Sequence, residues 1–293
     1  MGTSQSSNGS PSGTPMVPPW TPDIPSSQQP ETGVDGDTSN DSPDSGATPP
    51  ADGNEGSPDQ AGNKGSPIAP PSRFGGARRN MGDYARTGDS SSMKKGLGQY
   101  VRKGYGGSAT ATRRLASTAT TAQSLFSALS TGDNNSYSKE GGALDPAALS
   151  GKTAYEVMDI IVEAVAPVDG TQDTEASRES IKDALADLLN AHPDADLNDL
   201  SAEQKELAIE RYVAGDVFRR IDLDLGKCIR EKAPSTSSAL GRLKEVKNYV
   251  RETVSSSFRN LKETGQVIIN NTVISIVQNA IKETCEVFEG YAE

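Results

Sequence analysis

The sequence predicts an all-α protein: a C-terminal antiparallel helical bundle, preceded by a long disordered Pro/Gly/Ser-rich N-terminal tail and a basic Gly-rich segment with short helices. Two patterns carry this reading. From residue 143 onward apolar side chains recur at helical spacing, whereas the first 72 residues hold 14 of the 18 prolines and only 11 residues of the AVILMFWYC set. At roughly 150 residues per domain the chain has room for two domains. With 33% hydrophobic and 5% aromatic residues, one ordinary core is the allowance.

Residues 1–72 read as a disordered acidic tail, with nine acids against the single basic Lys64. Their few apolar groups cannot offset an ordering cost of about 1–2 kcal/mol per residue. Within the tail, Val17, Pro18, Pro19 and Trp20 gather prolines around the only Trp. That stretch suits polyproline II docking on an aromatic groove, and equally a stray apolar patch in a linker. Residues 73–131 form the basic Gly/Arg-rich segment. From Arg73 to Arg114 ten Lys/Arg face only Asp83 and Asp89, and nine glycines break any long helix, leaving two short ones over about 92–103 and 109–130. Arg73, Arg78, Arg79, Arg102, Lys103, Arg113 and Arg114, interleaved with Phe74 and Tyr100, are the candidate contacts. Such a pattern binds phosphate and stacks on bases, or pairs with acidic groups of this chain or of a partner.

A Gly/Asn/Ser-rich linker over 132–142 leads into the helical domain, 143–293. Thr153 to Glu156 makes a capping box ahead of Val157, Ile160, Ile161 and Val165, and Pro167 ends that helix. Ile181, Ala184, Leu185, Leu188 and Leu189 form one apolar stripe, so a helix runs over about 173–191, with His192 at its C-terminus and Pro193 as stop. Ser201 to Gln204 opens another helix ahead of Leu207, Tyr212, Val213 and Val217. After Pro234 follow two more, marked by Leu240, Leu243, Val246, Val250, Val254 and Leu261, then by Val273, Val277, Ile281, Cys285 and Phe288. Val267, Ile268 and Ile269 are β-branched, but a lone strand has no partner here, so they are assigned to helix.

Composition excludes several functions. A net charge of −11 argues against nonspecific binding of the whole chain to nucleic acid or anionic membrane. Two cysteines 57 residues apart and one histidine assemble neither a metal cluster nor a disulfide framework, which fits a reducing cytoplasm; Cys228 and Cys285 read as buried structural thiols. No apolar run reaches the roughly 18–20 residues of a membrane span, and no secretory leader is expected. Gly151-Lys152-Thr153 lacks the first glycine of a phosphate loop, and Asp194, Asp196 and Asn198 lack the glycine and glutamate of a calcium loop. Glu283, Glu286 and Glu289 read as solvated helix surface. No catalytic residue, metal ligand or cofactor is therefore expected, and the chain is not expected to be an enzyme.

The chemical candidate lies at the start. Loss of Met1 before Gly2 would expose an α-amine whose ordinary pKa of about 7.7–8.0 leaves a useful nucleophilic fraction. An unmodified tail, or N-myristoylation of the short pattern Met1 to Ser6, fits the same residues.

Met1-Gly2-Thr3-Ser4 with Val17-Pro18-Pro19-Trp20, Arg73-Phe74-Gly75-Gly76-Ala77-Arg78, Gly96-Leu97-Gly98-Gln99-Tyr100-Val101-Arg102 and Pro167-Val168-Asp169-Gly170-Thr171-Gln172-Asp173 resemble the QatB family of the bacterial Qat anti-phage defence system. Leu243-Lys244-Glu245-Val246-Lys247 and Glu286-Val287-Phe288-Glu289-Gly290-Tyr291 extend the likeness to the end of the chain. The resemblance implies a non-enzymatic, partner-binding component. Its implied partners are an ATPase, a TatD-like nuclease and a QueC-like enzyme that would place a deazaguanine on the Gly2 amine, holding Thr3 and Ser4 beside it. A nucleic-acid-binding adaptor and a toxin-like effector are the rival functions.

Overall fold

In a computed structural model that describes residues 72–130 and 144–292, every regular element among those residues is helical. The tail expected over 1–72 and the linker expected over 132–142 lie outside the described residues, Ser72 apart.

Helix α1 (Gly75–Thr87) forms where glycines were expected to prevent one. Its apolar stripe of Ala77, Met81, Tyr84 and Ala85 is buried, and that burial overrides poor local propensity. Gly88 ends it in the left-handed region at φ 77°. Helix α2 (Ser90–Gln99) starts where the Asp89 carboxylate accepts from Ser91 N and Ser92 N, and it runs on into a π-helical turn, Tyr100–Tyr105. Gly106 and Gly107, both at positive φ, turn the chain into α3 (Ser108–Arg114) and then α4 (Ala116–Ala128). The two short helices expected here are thus three helices and a π turn.

After the short α5 (Pro146–Leu149) come α6 (Ala154–Val165), α7 (Gln172–Ala191) and α8 (Ala202–Ile221). Both expected capping boxes are present, Thr153 with Glu156 and Ser201 with Gln204, and His192 caps α7. A second π-helical turn, Asp222–Gly226, links α8 to α9 (Lys227–Lys232); α10 (Thr236–Glu263) and α11 (Val273–Glu289) complete the chain.

One apolar cluster extends from Phe74 to Phe288 and takes in Met81, Leu97 and Leu125 together with Leu185, Tyr212, Val250 and Val277. Helix α8 packs against α7 and α10, α11 against α4 and α10, and α1 against α2 and α9. Two details differ from expectation. Leu240 is exposed, because it lies about 100° around α10 from Ala239, off the face that Ala239, Leu243, Val246 and Val250 bury. Residues 267–269 are neither helix nor strand. Gly265, at φ 82°, ends α10; the Thr272 hydroxyl then accepts from Ile269 N and donates to the Val267 carbonyl, while only Ile268 of the three enters the core.

Candidate functional site

The basic segment turns its rings inward and leaves most of its cations exposed. Phe74 and Tyr100 are both buried and stack with centroids 5.1 Å apart, and Tyr105 meets both edge-on. Rings committed to the core are not free to stack on bases. The Arg73 guanidinium lies over the Phe74 ring at 4.4 Å, and Arg78 Nε donates to the Asp224 carbonyl at 3.2 Å. Arg79, Arg102, Lys103, Arg113 and Arg114 remain exposed. The Gly106–Gly107 turn joins the pair on the π turn to the pair ending α3. Gly2, Thr3, Ser4, Val17, Pro18, Pro19 and Trp20 lie outside the described residues.

A polar network crosses the middle of the bundle near the C-terminal end of α8, where Asp216 and Arg220 stand at i and i+4 on one face. Asp216 is fully buried and accepts from Thr118 Oγ1 (2.6 Å), Ser177 Oγ (2.7 Å) and Arg220 Nε (3.1 Å). Arg220 also donates to Asp173 (2.9 Å) and to Ser117 Oγ (3.1 Å). These bonds tie α4, α7 and α8 together. Burial works against the Arg220 charge, but Asp216 and Asp173 outweigh it and hold the guanidinium protonated. Burial, then Asp216, pushes the Tyr212 hydroxyl well up, so it acts as a neutral donor to Ser177 Oγ at 3.5 Å. With three donors on it, Asp216 is an anchor, not a free base.

At Asp224 the two π-helical turns meet. Its carboxylate accepts from Tyr100 (2.9 Å) and Tyr105 (3.5 Å). Burial raises its carboxyl above the ordinary aspartate value, and the hydroxyls with Arg73 and Arg78 only partly counter this. A π turn inserts a residue and so re-aims the side chains that follow it.

Beside the network is a pocket of about 390 Å³ whose lining includes Ser117, Thr121, Pro167, Asp169, Asp173 and Arg220. Asp169 is held low by the Thr171 amide and by the Thr174 and Thr171 hydroxyls, all of which donate to it at the start of α7. Among the described residues no three His, Cys, Asp or Glu side chains are grouped to hold a metal ion, and no helix is long and apolar enough to cross a membrane. Burial pushes both cysteine thiols up, that of Cys285 to about 12, which leaves little thiolate for chemistry at neutral pH.

The Asp216–Arg220 pair on α8 escaped the sequence reading, although Asp216 interrupts the apolar stripe of Ile209, Tyr212 and Val213 and so was visible as a polar residue in a core position. Glu289 had no such signal. It was read as solvated surface, yet its carboxylate accepts from Ser108 N at 2.9 Å and caps α3 from 181 residues away.

Residues 106–288 match the family model of QatB, the Qat anti-phage system associated protein. No curated protein and no solved structure matches the chain. The match runs from the turn before α3 to within one residue of the end of α11 and includes Asp173, Asp216, Arg220 and Asp224. It spans more than half of the 293 residues, and the chain therefore belongs to the QatB family of anti-phage defence components.

Proposed function

We propose that this chain is a non-enzymatic member of its defence system, a scaffold whose helical domain binds other components and whose N-terminus is the substrate of a QueC-like enzyme. Family membership over α3–α11 carries this reading. Two features support it. The polar side chains at the centre of the bundle are engaged with one another in structural bonds, and Gly2 follows Met1 at the head of the 71 residues that precede the described ones. In the proposed reaction the enzyme activates the carboxylate of a deazaguanine with ATP. The neutral Gly2 amine then attacks that carbonyl, the carbon–nitrogen bond of an amide forms, the bond to the leaving group breaks, and the amine proton passes to solvent.

The test is the mass of the N-terminal peptide from protein made with and without its neighbouring genes. A deazaguanine adduct on Gly2 that requires the QueC-like gene is expected. An unmodified Gly2 in both samples would remove the substrate role.

The exposed cations Arg79, Arg102, Lys103, Arg113 and Arg114 favour one second reading, an adaptor that contacts nucleic acid phosphates. A filter-binding titration free of salt-dependent affinity would eliminate it.

A further inference from the structure

Leu223, on the π-helical turn after α8, is 47% exposed, and Val168, in the loop entering α7, is 61% exposed. Near them lies a groove of about 380 Å³, with Gly170, Ala176 and Leu223 offering apolar surface and Glu175, Glu179 and Arg219 the charge. Gln172, Ala176 and Glu179 stand at i, i+4 and i+7, so one face of α7 forms a wall. Open space surrounds the position of a side chain at Gly170, which leaves the groove accessible.

The charges do not cancel. Arg219 is engaged by Asp183 at 2.9 Å and reaches Glu179 only at 4.0 Å. Glu175 has a single long contact, 3.9 Å to Arg178, and both glutamate side chains are more than half exposed. Asp173, next to Gln172, is paired with Arg220 at 2.9 Å, and Asp222 on the lining is paired with Arg230 at 2.7 Å, so Glu175 and Glu179 are the weakly engaged charges of the rim. Across residues 144–292 acidic side chains outnumber basic ones 26 to 17, in the same sense as the excess that Glu175 and Glu179 give the rim. An apolar floor rewards an aliphatic or aromatic side chain, and an acidic rim selects lysine and arginine while repelling nucleic acid and anionic lipid.

We propose that this groove docks a basic segment of another protein of the defence system, one that carries an apolar side chain for the floor beside Leu223. The inference rests on the scaffold reading and adds the face used and the chemistry of what it takes.

The full chain is co-expressed with the other proteins of the system, the complex is isolated, and a carbodiimide is used to join carboxylates directly to lysines. Mass spectrometry is expected to find Glu175 or Glu179 linked to a lysine of another component. Combined Leu223→Asp and Glu179→Lys changes are expected to cut recovery of that component by about tenfold or more, with the unfolding midpoint unchanged because both side chains are surface groups. An intact complex with links elsewhere and full recovery by the double variant would overturn the groove and leave the scaffold standing. A link to a lysine of a second copy of this chain would overturn the choice of partner. No complex at all would overturn both.

Discussion

Helices α1–α4 and α6–α11 carry opposite charge and yet share one apolar core. Residues 72–130 contain ten basic and two acidic side chains, and residues 144–292 contain 17 and 26. Electrostatic attraction between the halves is not what fixes their packing. Most cations of the first half point to solvent, and the polar contacts that cross over engage mainly uncharged donors, among them Tyr84 OH to Glu245 at 2.7 Å, Tyr100 OH to Asp224, Thr118 to Asp216, and Ser108 N to Glu289. Apolar burial supplies the adhesion, and these polar bonds set the register, since a misplaced buried polar group would cost more than a misplaced methyl. The excess charge of the first half is left largely on the outside.

The sharpest way to break this comparison is Asp216→Ala, which leaves Arg220, Thr118 and Ser177 without their shared acceptor. A loss of about 3–5 kcal/mol is expected in urea unfolding of the full chain. A loss below about 1 kcal/mol would mean that the halves are not registered through this carboxylate.

Acid titration separates two of the crossing contacts by sign. Glu289 is held below the ordinary glutamate range by the Ser108 amide and then its hydroxyl, so its contribution is present above about pH 4.3 and disappears as pH falls through the lowered folded value. Asp224 is raised by burial, so its contribution is complete below about pH 3.9 and disappears as pH rises through the folded value. Asp224→Asn is expected to remove that second slope from the stability–pH curve, and Glu289→Ala the first. Equal slopes in wild type and variants would refute the assignment.

The smallest effect on stability is expected from reversing Arg102, Lys103, Arg113 and Arg114 to Glu. Stability should stay within about 0.5 kcal/mol, as for surface sites generally. Recovery of partners, or affinity for nucleic acid, should fall if these cations form a contact surface. A cooperative loss of folding would instead place them in the structure that joins the halves.

Legibility followed the range of the interaction. The capping boxes at Thr153 and Ser201, the stripe of α7 and the cap at His192 involve residues within one or two turns, and each was readable directly. Helix α1 was not, because its glycines argue against a helix locally while the burial of Met81 and Tyr84 against distant helices decides the matter. Phe74 and Tyr100 looked like a stacking surface for the same reason: aromatic residues among arginines read alike whether they face bases or one another.

The sequence by itself determined the all-helical class, the bounds of α6 and α7, the start of α8, the segregation of charge and the likeness to QatB, since these depend on composition and short spacings. Only the tertiary structure decided that Asp216 and Arg220 form a buried network, that Asp224 receives the Tyr100 and Tyr105 hydroxyls, that Glu289 caps α3, and that an acidic groove opens beside Leu223. Those features depend on atoms far apart in the chain meeting within about 3–4 Å, and no local pattern specifies such a meeting before the core has formed.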